Sequence, residues 1–80
     1  MFISYLPNTL SYNRVAVVIA KKDIPGAVVR HRIKRQLLHL AKGWPEKGYD
    51  LILIPQGSLV ALSSAARRQL LADLVKPLFL

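Results

Sequence analysis

Between Arg14 and Arg35 the chain carries Arg14, Lys21, Lys22, Arg30, Arg32, Lys34 and Arg35, seven of its twelve basic residues, opposed there by Asp23 alone. Ammonium and guanidinium groups gathered this closely neutralise phosphates and release counterions, so a polyanion is the expected partner and RNA the reading that fits best. Arg30 and Arg32 add a planar fork of donors that grips phosphate oxygens in pairs, which lysine does not reproduce. His31 stands between them, and its imidazole can donate to phosphate or stack on a base.

Other chemistry is weakly represented. The four acidic residues, Asp23, Glu46, Asp50 and Asp73, are scattered, which gives no general acid/base pair and no carboxylate cluster for two metals. Asp50 is expected to position the start of a strand. Ser63 and Ser64 read as helix caps, with no nucleophile elbow around them. His31 and His39 lie eight apart without a third ligand nearby, so no metal site is expected from them. Tyr5 and Tyr12 are candidate stacking contacts for single-stranded nucleotides, whereas Phe2 and Trp44 read as packing residues.

Eighty residues make one domain, 1–80, whose core must be economical. With no cysteine there is neither a disulfide framework nor a thiolate metal site, which is compatible with a reducing cytoplasm. Apolar content of 52% excludes the composition of a highly charged disordered chain. No signal peptide is evident in the first thirteen residues. The longest uncharged stretch, Leu51 to Ala66, is broken by Pro55, Gln56, Gly57 and serines, so no membrane span is expected.

The elements that must position the cations follow from periodicity. Phe2 to Leu6 reads as a short strand stopped by Pro7-Asn8, and Val15 to Ala20 as a second strand with Val15, Val17 and Ile19 on its bulkier face. The first two strands are expected to be antiparallel. After the loop Lys21 to Gly26, the stripe Val29, Ile33, Leu37, Leu40 and Ala41 predicts a helix packed on the sheet. His31, Arg35 and Lys42 then point away from the core, with Arg30 and Lys34 on one flank and Arg32 and His39 on the other. Gly43 and Pro45 end this helix. Asp50 to Ile54 reads as a buried strand. A Ser-capped helix follows through Leu70, Leu71, Leu74, Val75 and Leu78, with Pro77 expected to fray or kink its end. The class is α+β: a small mixed sheet with helices in the order β-β-α-β-α.

The run Arg14-Val15 to Ala20, Lys21-Lys22, Ala27-Val28-Val29-Arg30-His31-Arg32-Ile33-Lys34-Arg35 and Gly48-Tyr49-Asp50-Leu51-Ile52-Leu53-Ile54 resembles the protein component of bacterial ribonuclease P. The pattern of that family reads R-V, alternating apolar residues, K-K, G-N-A-V-x-R-N-R-x-K-R, then D-Y-V-x-I-A. The resemblance covers nearly the whole chain, and it implies a left-handed β-α-β crossover. The general right-handed rule does not lead to that. It also implies an RNA-binding subunit that assists a catalytic RNA in removing the 5′ leader of precursor tRNA. Arg14, Lys21, Lys22, Arg30, His31, Arg32, Lys34 and Arg35 are the RNA-binding candidates, Tyr5 and Tyr12 the candidate leader contacts. No residue of the chain is expected to be catalytic, and Mg2+ is expected to be held mainly by the RNA partner.

Three departures from the pattern stand out. His31 replaces the middle Asn of R-N-R, and Pro25-Gly26 replaces G-N. A family-typical N-terminal helix and aromatic segment, roughly thirty residues long, is expected to be missing ahead of Met1. The strand Val15 to Ala20 is expected to be the central one, and its cleft face reads Ala16, Val18, Ala20, which suits wet nucleic-acid contacts less well and leaves self-association through an exposed sheet face open. The alternative function is a stand-alone nucleic-acid-binding module of the same fold. A merely solvated charged face and a membrane-surface helix are the competing readings of the basic helix.

Overall fold

The computed structural model describes residues 1–79 and builds a three-stranded sheet from β1 (Phe2–Pro7), β2 (Arg14–Val17) and β3 (Tyr49–Ile54) in the order β1-β3-β2. Helix α1 (Ala27–Ala41) links β2 to β3, and α2 (Ser64–Phe79) closes the chain. The strand that is apolar at four successive positions takes the centre, where both edges find backbone partners and one face is buried. β1 pairs with β3 antiparallel, Ile3 opposite Leu53 and Tyr5 opposite Leu51; β2 pairs parallel, Val15 opposite Leu51 and Val17 opposite Leu53.

Three expectations change here. The first two strands do run in opposite directions, but they do not pair, because β3 is inserted between them; β3 thereby takes the central place expected of the Val15–Ala20 strand, which lies at the edge. Charged Arg14 is tolerable at an edge and would be costly in the centre. β2 is also shorter than the apolar run Val15 to Ala20. The ladder ends with the Val18 N–H on the Leu53 carbonyl, and the chain then turns, with the N–H groups of Asp23 and Ile24 both on the Ala20 carbonyl.

Strand alternation assigns the side chains to two faces. Ile3, Val15, Val17, Leu51 and Leu53 point toward the helices, and all but Leu51 belong to or pack against one core cluster with Ile33, Leu37, Leu71 and Val75. Phe2, Ser4, Leu6, Ala16 and Ile52 point the other way. Phe2 was expected in the core, yet it is 62% exposed on that second face. The register decides this, since only one of Phe2 and Ile3 can lie beside Leu53. Tyr5 consequently faces the helix side, where its ring meets Tyr49 edge-on at 5.9 Å.

Helix α1 buries Ile33, Leu37 and Ala41, with Val29 and Leu40 partly buried against the core, as its periodicity requires. Helix α2 buries Leu71 and Val75 and is capped by Ser63, whose Oγ accepts the Ala66 N–H. Gln36 fastens the helices together: its Nε2 donates to Oγ and the carbonyl of Ser64, and its Oε1 accepts Nε of Arg67. The helix continues through Pro77 to Phe79 rather than ending there. The missing N–H forfeits one bond in the last turn, and the Phe79 ring, stacked at 5.4 Å on Trp44 and edge-on to Tyr49, holds that turn in place. Trp44 is therefore the packing residue that the sequence suggested.

Two core residues come from segments that read as loops. Ile24 is 2% exposed beneath the turn after β2, and Leu59 is equally buried in a short 3-10 helix, Gly57–Ala61. The opposite end of the sheet is pinned by polar groups. Asp50 accepts Nε and Nη2 of Arg14 at 2.7 and 2.6 Å and Nδ2 of Asn8 at 2.9 Å. Asn13 accepts the N–H groups of Lys47 and Tyr49 and donates to the Pro45 carbonyl. Gly48 has φ +74°, and a Cβ there would stand 2.6 Å from the Leu10 carbonyl oxygen, so glycine is required.

Ile24→Ala is expected to lower stability by about 2 to 5 kcal/mol through the cavity it leaves, measured by urea unfolding. The Arg14 hydrogen bond, with that of Asn8, holds the Asp50 carboxyl at about 2, below its ordinary 3.8. A group lowered on folding stabilises above its unfolded value and loses that contribution as pH falls through the folded one. The urea midpoint should therefore drop between about pH 4 and pH 2, and Asp50→Asn should flatten that part of the profile; an unchanged slope would refute the assignment.

Candidate nucleic-acid interface

The turn before α1 is fixed from three sides. Ile24 anchors it in the core, and Gly57 approaches so closely that a Cβ would lie 2.7 Å from the Asp23 carbonyl oxygen. Arg30 supplies the third hold, with Nη1 donating to the carbonyls of Ile24 at 2.9 Å and Pro25 at 2.7 Å. Lys21 and Lys22 stand exposed at the top of this clamped turn. Arg30 is expected among the phosphate ligands; one end of its fork instead organises the loop, leaving Nε and Nη2 for a partner.

Along α1, His31, Arg32, Lys34 and Arg35 are all exposed, while Ile33 between them is buried. His31 forms a ridge between two shallow grooves. One, of about 340 Å3, is lined by Val28, His31, Arg32 and Arg35; the other, of about 150 Å3, by Val17, Ile19, Arg30, His31 and Lys34. Val28, 71% exposed, and the half-buried Ile19 are apolar members of these grooves that the charge pattern alone did not single out. The doublet Val28-Val29 held the clue, because a helix with Val29 turned inward must turn Val28 outward.

Among the described residues the one ion pair is Arg14 with Asp50, so the cations of α1 have no acidic partner. The first turn of α1 contains no acidic side chain either, and its Gly26 cap leaves the N-terminal amides without a side-chain acceptor. The field outside this surface is positive and uncompensated. Arg14 is separate from it. On β2 it alternates with Val15 and Val17, so it points to the face away from the helices, and its two forked donors are engaged by Asp50, which in turn raises its pKa.

Tyr5 and Tyr12 are not brought together. Tyr5 lies on the helix side against Tyr49, and Tyr12, half exposed, lies in the β1–β2 connection close to Arg14. The open sheet face instead presents Phe2, Leu6, Val18 and Ile52. His31 and His39 stand two turns apart on α1, and among the described residues no three His, Asp or Glu side chains converge. None of the described helices is long and apolar enough to cross a membrane.

The family described as Ribonuclease P matches residues 1–78. The ribonuclease P protein component of Petrotoga mobilis is 42% identical over 60 residues, covering 71% of this chain and 50% of that protein. That of Caldanaerobacter subterraneus subsp. tengcongensis is 33% identical over 76 residues, covering 90% and 64% respectively. This chain thus spans about half to two thirds of the length of these curated relatives. The solved RNase P protein of Thermotoga maritima superposes with a TM-score of 0.81 at 25% identity, over 94% of this chain and 74% of that one. Fold, motif order and sequence similarity converge: this chain belongs to the ribonuclease P protein family.

Proposed function

We propose that the chain is the RNA-binding protein subunit of ribonuclease P and assists its catalytic RNA in removing the 5′ leader of precursor tRNA. One observation carries the reading. His31, Arg32, Lys34 and Arg35 form an exposed, acid-free surface beside a clamped Lys21-Lys22 turn, in a chain of this family. Phosphates of the catalytic RNA meet this surface, where pre-positioned donors replace counterions. Because the turn is already held by Ile24, Gly57 and Arg30, little ordering accompanies binding. The bond-breaking chemistry belongs to the RNA and to Mg2+ held mainly by its phosphates; the protein contributes position and charge.

Reconstitution with the cognate catalytic RNA at low Mg2+ tests the proposal, and a rise in leader cleavage on adding the chain is expected. RNA binding without any gain in cleavage would favour a stand-alone nucleic-acid-binding module. With about five phosphate contacts, log affinity should fall by roughly 3.5 per tenfold rise in salt, and a flat dependence would exclude this surface. Arg32→Ala should weaken binding about tenfold or more and reduce the slope. Arg32→Lys should keep the slope while recovering only part of the affinity. Arg14→Gln should leave the slope unchanged, since Arg14 already serves Asp50.

A further inference from the structure

β1 is an edge strand of six residues, Phe-Ile-Ser-Tyr-Leu-Pro, without a single charge. Edge strands are ordinarily protected by lysine, by proline, by bulges or by a covering element, because their outward N–H and C=O groups can pair with another strand; β1 has only Pro7, at its last position, which leaves Ile3 and Tyr5 unprotected. Asn8 donates its backbone N–H to the Gly48 carbonyl at 2.7 Å, continuing the β1–β3 ladder. In an antiparallel ladder alternate residues bond to the same neighbour, so Leu6, Ser4 and Phe2 share that direction. The N–H and C=O groups of Ile3 and Tyr5 therefore point away from β3, toward the open edge.

We infer that β1 pairs antiparallel with β1 of a second copy of this chain, with Ser4 opposite its own counterpart on the two-fold axis, to form a six-stranded sheet. In this register Ile3 of each copy exchanges both backbone hydrogen bonds with Tyr5 of the other. On the open face Phe2, 62% exposed, comes opposite Leu6, 70% exposed, on both sides of the axis. Shifting the register by two residues either way sets Phe2 against Ser4 or Asn8 instead, which discards these two apolar pairs. On the helix face Ile3 meets Tyr5, beside a groove of about 320 Å3 lined in part by Leu74 and Leu78 of α2.

The charge distribution favours a second copy over a basic or acidic partner. A chain of net charge +8 normally repels itself, but six of its twelve basic residues lie on α1 and the preceding turn, and α1 packs against β2, the opposite edge of the sheet; α2, which borders β1, carries Arg67, Arg68 and Lys76 against Asp73. Joining the β1 edges brings the two uncharged strands together and keeps the basic helices at the outer ends, where screening over about 8 Å at physiological salt suppresses their repulsion. A pairing of this size sits at the small end of specific interfaces, so the dimer is a reversible one that forms at micromolar or higher concentration.

Sedimentation equilibrium of the 80-residue chain should show a monomer–dimer equilibrium. Ser4→Lys and Ser4→Glu, at an exposed position, should each weaken dimerisation at least tenfold, and mixing the two variants should restore a heterodimer. As a check that does not depend on weakening, Ser4→Cys should be oxidised to a disulfide-linked dimer. Directly opposed Cα atoms in a non-hydrogen-bonded pair lie about 4.5 Å apart, within disulfide reach. Thr9→Cys, exposed beyond the strand, should cross-link far more slowly. A chain that remains monomeric up to roughly 1 mM, a Ser4→Lys dimer of unchanged strength, or equal cross-linking of the two cysteine variants would each overturn the inference.

Discussion

Leu53 lies opposite Ile3 on one side and Val17 on the other, fully buried, with Leu51 holding the same relation to Tyr5 and Val15 two residues earlier. These two leucines set the register of both neighbouring strands at once, and register sets every face assignment in the molecule. A slip of one residue in β1 would bring Phe2 beside Leu53 and expose Ile3. A slip in β2 would turn Arg14 toward the helices. The position of α1 follows from the same pair, because Ile33 and Leu37 pack into the cluster that Leu53 centres. The outward aim of Arg32, Lys34 and Arg35 is thus a consequence of hydrophobic packing on the far side of their own helix.

That dependence matters because α1 is a poor helix by local criteria. Arg30 with Lys34 and Arg32 with Arg35 are like-charged neighbours at four- and three-residue spacing, each costing a few tenths of a kcal/mol. The helix has a glycine cap with no side-chain hydrogen bond and no acid in its first turn. Burial of Ile33, Leu37 and Ala41 offsets these penalties. A bound polyanion would relieve the same repulsion, so binding and folding stability are linked through the basic surface. The features that weaken the isolated helix are the ones that keep its cations available.

Much of this was legible in the sequence. The spacing of Val29, Ile33, Leu37 and Ala41 located α1 and its exposed side, and the apolar run ending at Ile54 located the central strand. The motif order led to the family, which the comparisons establish. What could not be read depended on contacts distant in sequence. Nothing local marks Ile24 or Leu59 as core: Ile24 is a lone apolar residue in a turn, and Leu59 stands beside Val60 and Leu62, both exposed, so that only the assembled sheet and helices distinguish it. The insertion of β3 between β1 and β2 is a long-range pairing of the same kind. The faces of Phe2 and Tyr5 were a choice between two alternations that only pairing with Leu53 resolves. Similarly, Arg14 and Arg30 look like the other cations until Asp50 and the loop carbonyls are brought beside them.

The clamp formed by Arg30 also governs how the chain can vary in length. Its guanidinium reaches back five and six residues to the carbonyls of Pro25 and Ile24, while Ile24 is held in the core below. An added residue between Gly26 and Arg30 would rotate the remainder of α1 by about 100° relative to the turn. Either the clamp or the packing of Ile33 would then be lost. The β1–β2 connection is tied at its ends, by Asn8 to Asp50 and by Asn13 to the segment before β3, but to no helix register. Insertions and deletions are therefore tolerated very unequally along this small chain, and the interval from Lys21 to Arg35 behaves as a ruler of fixed length.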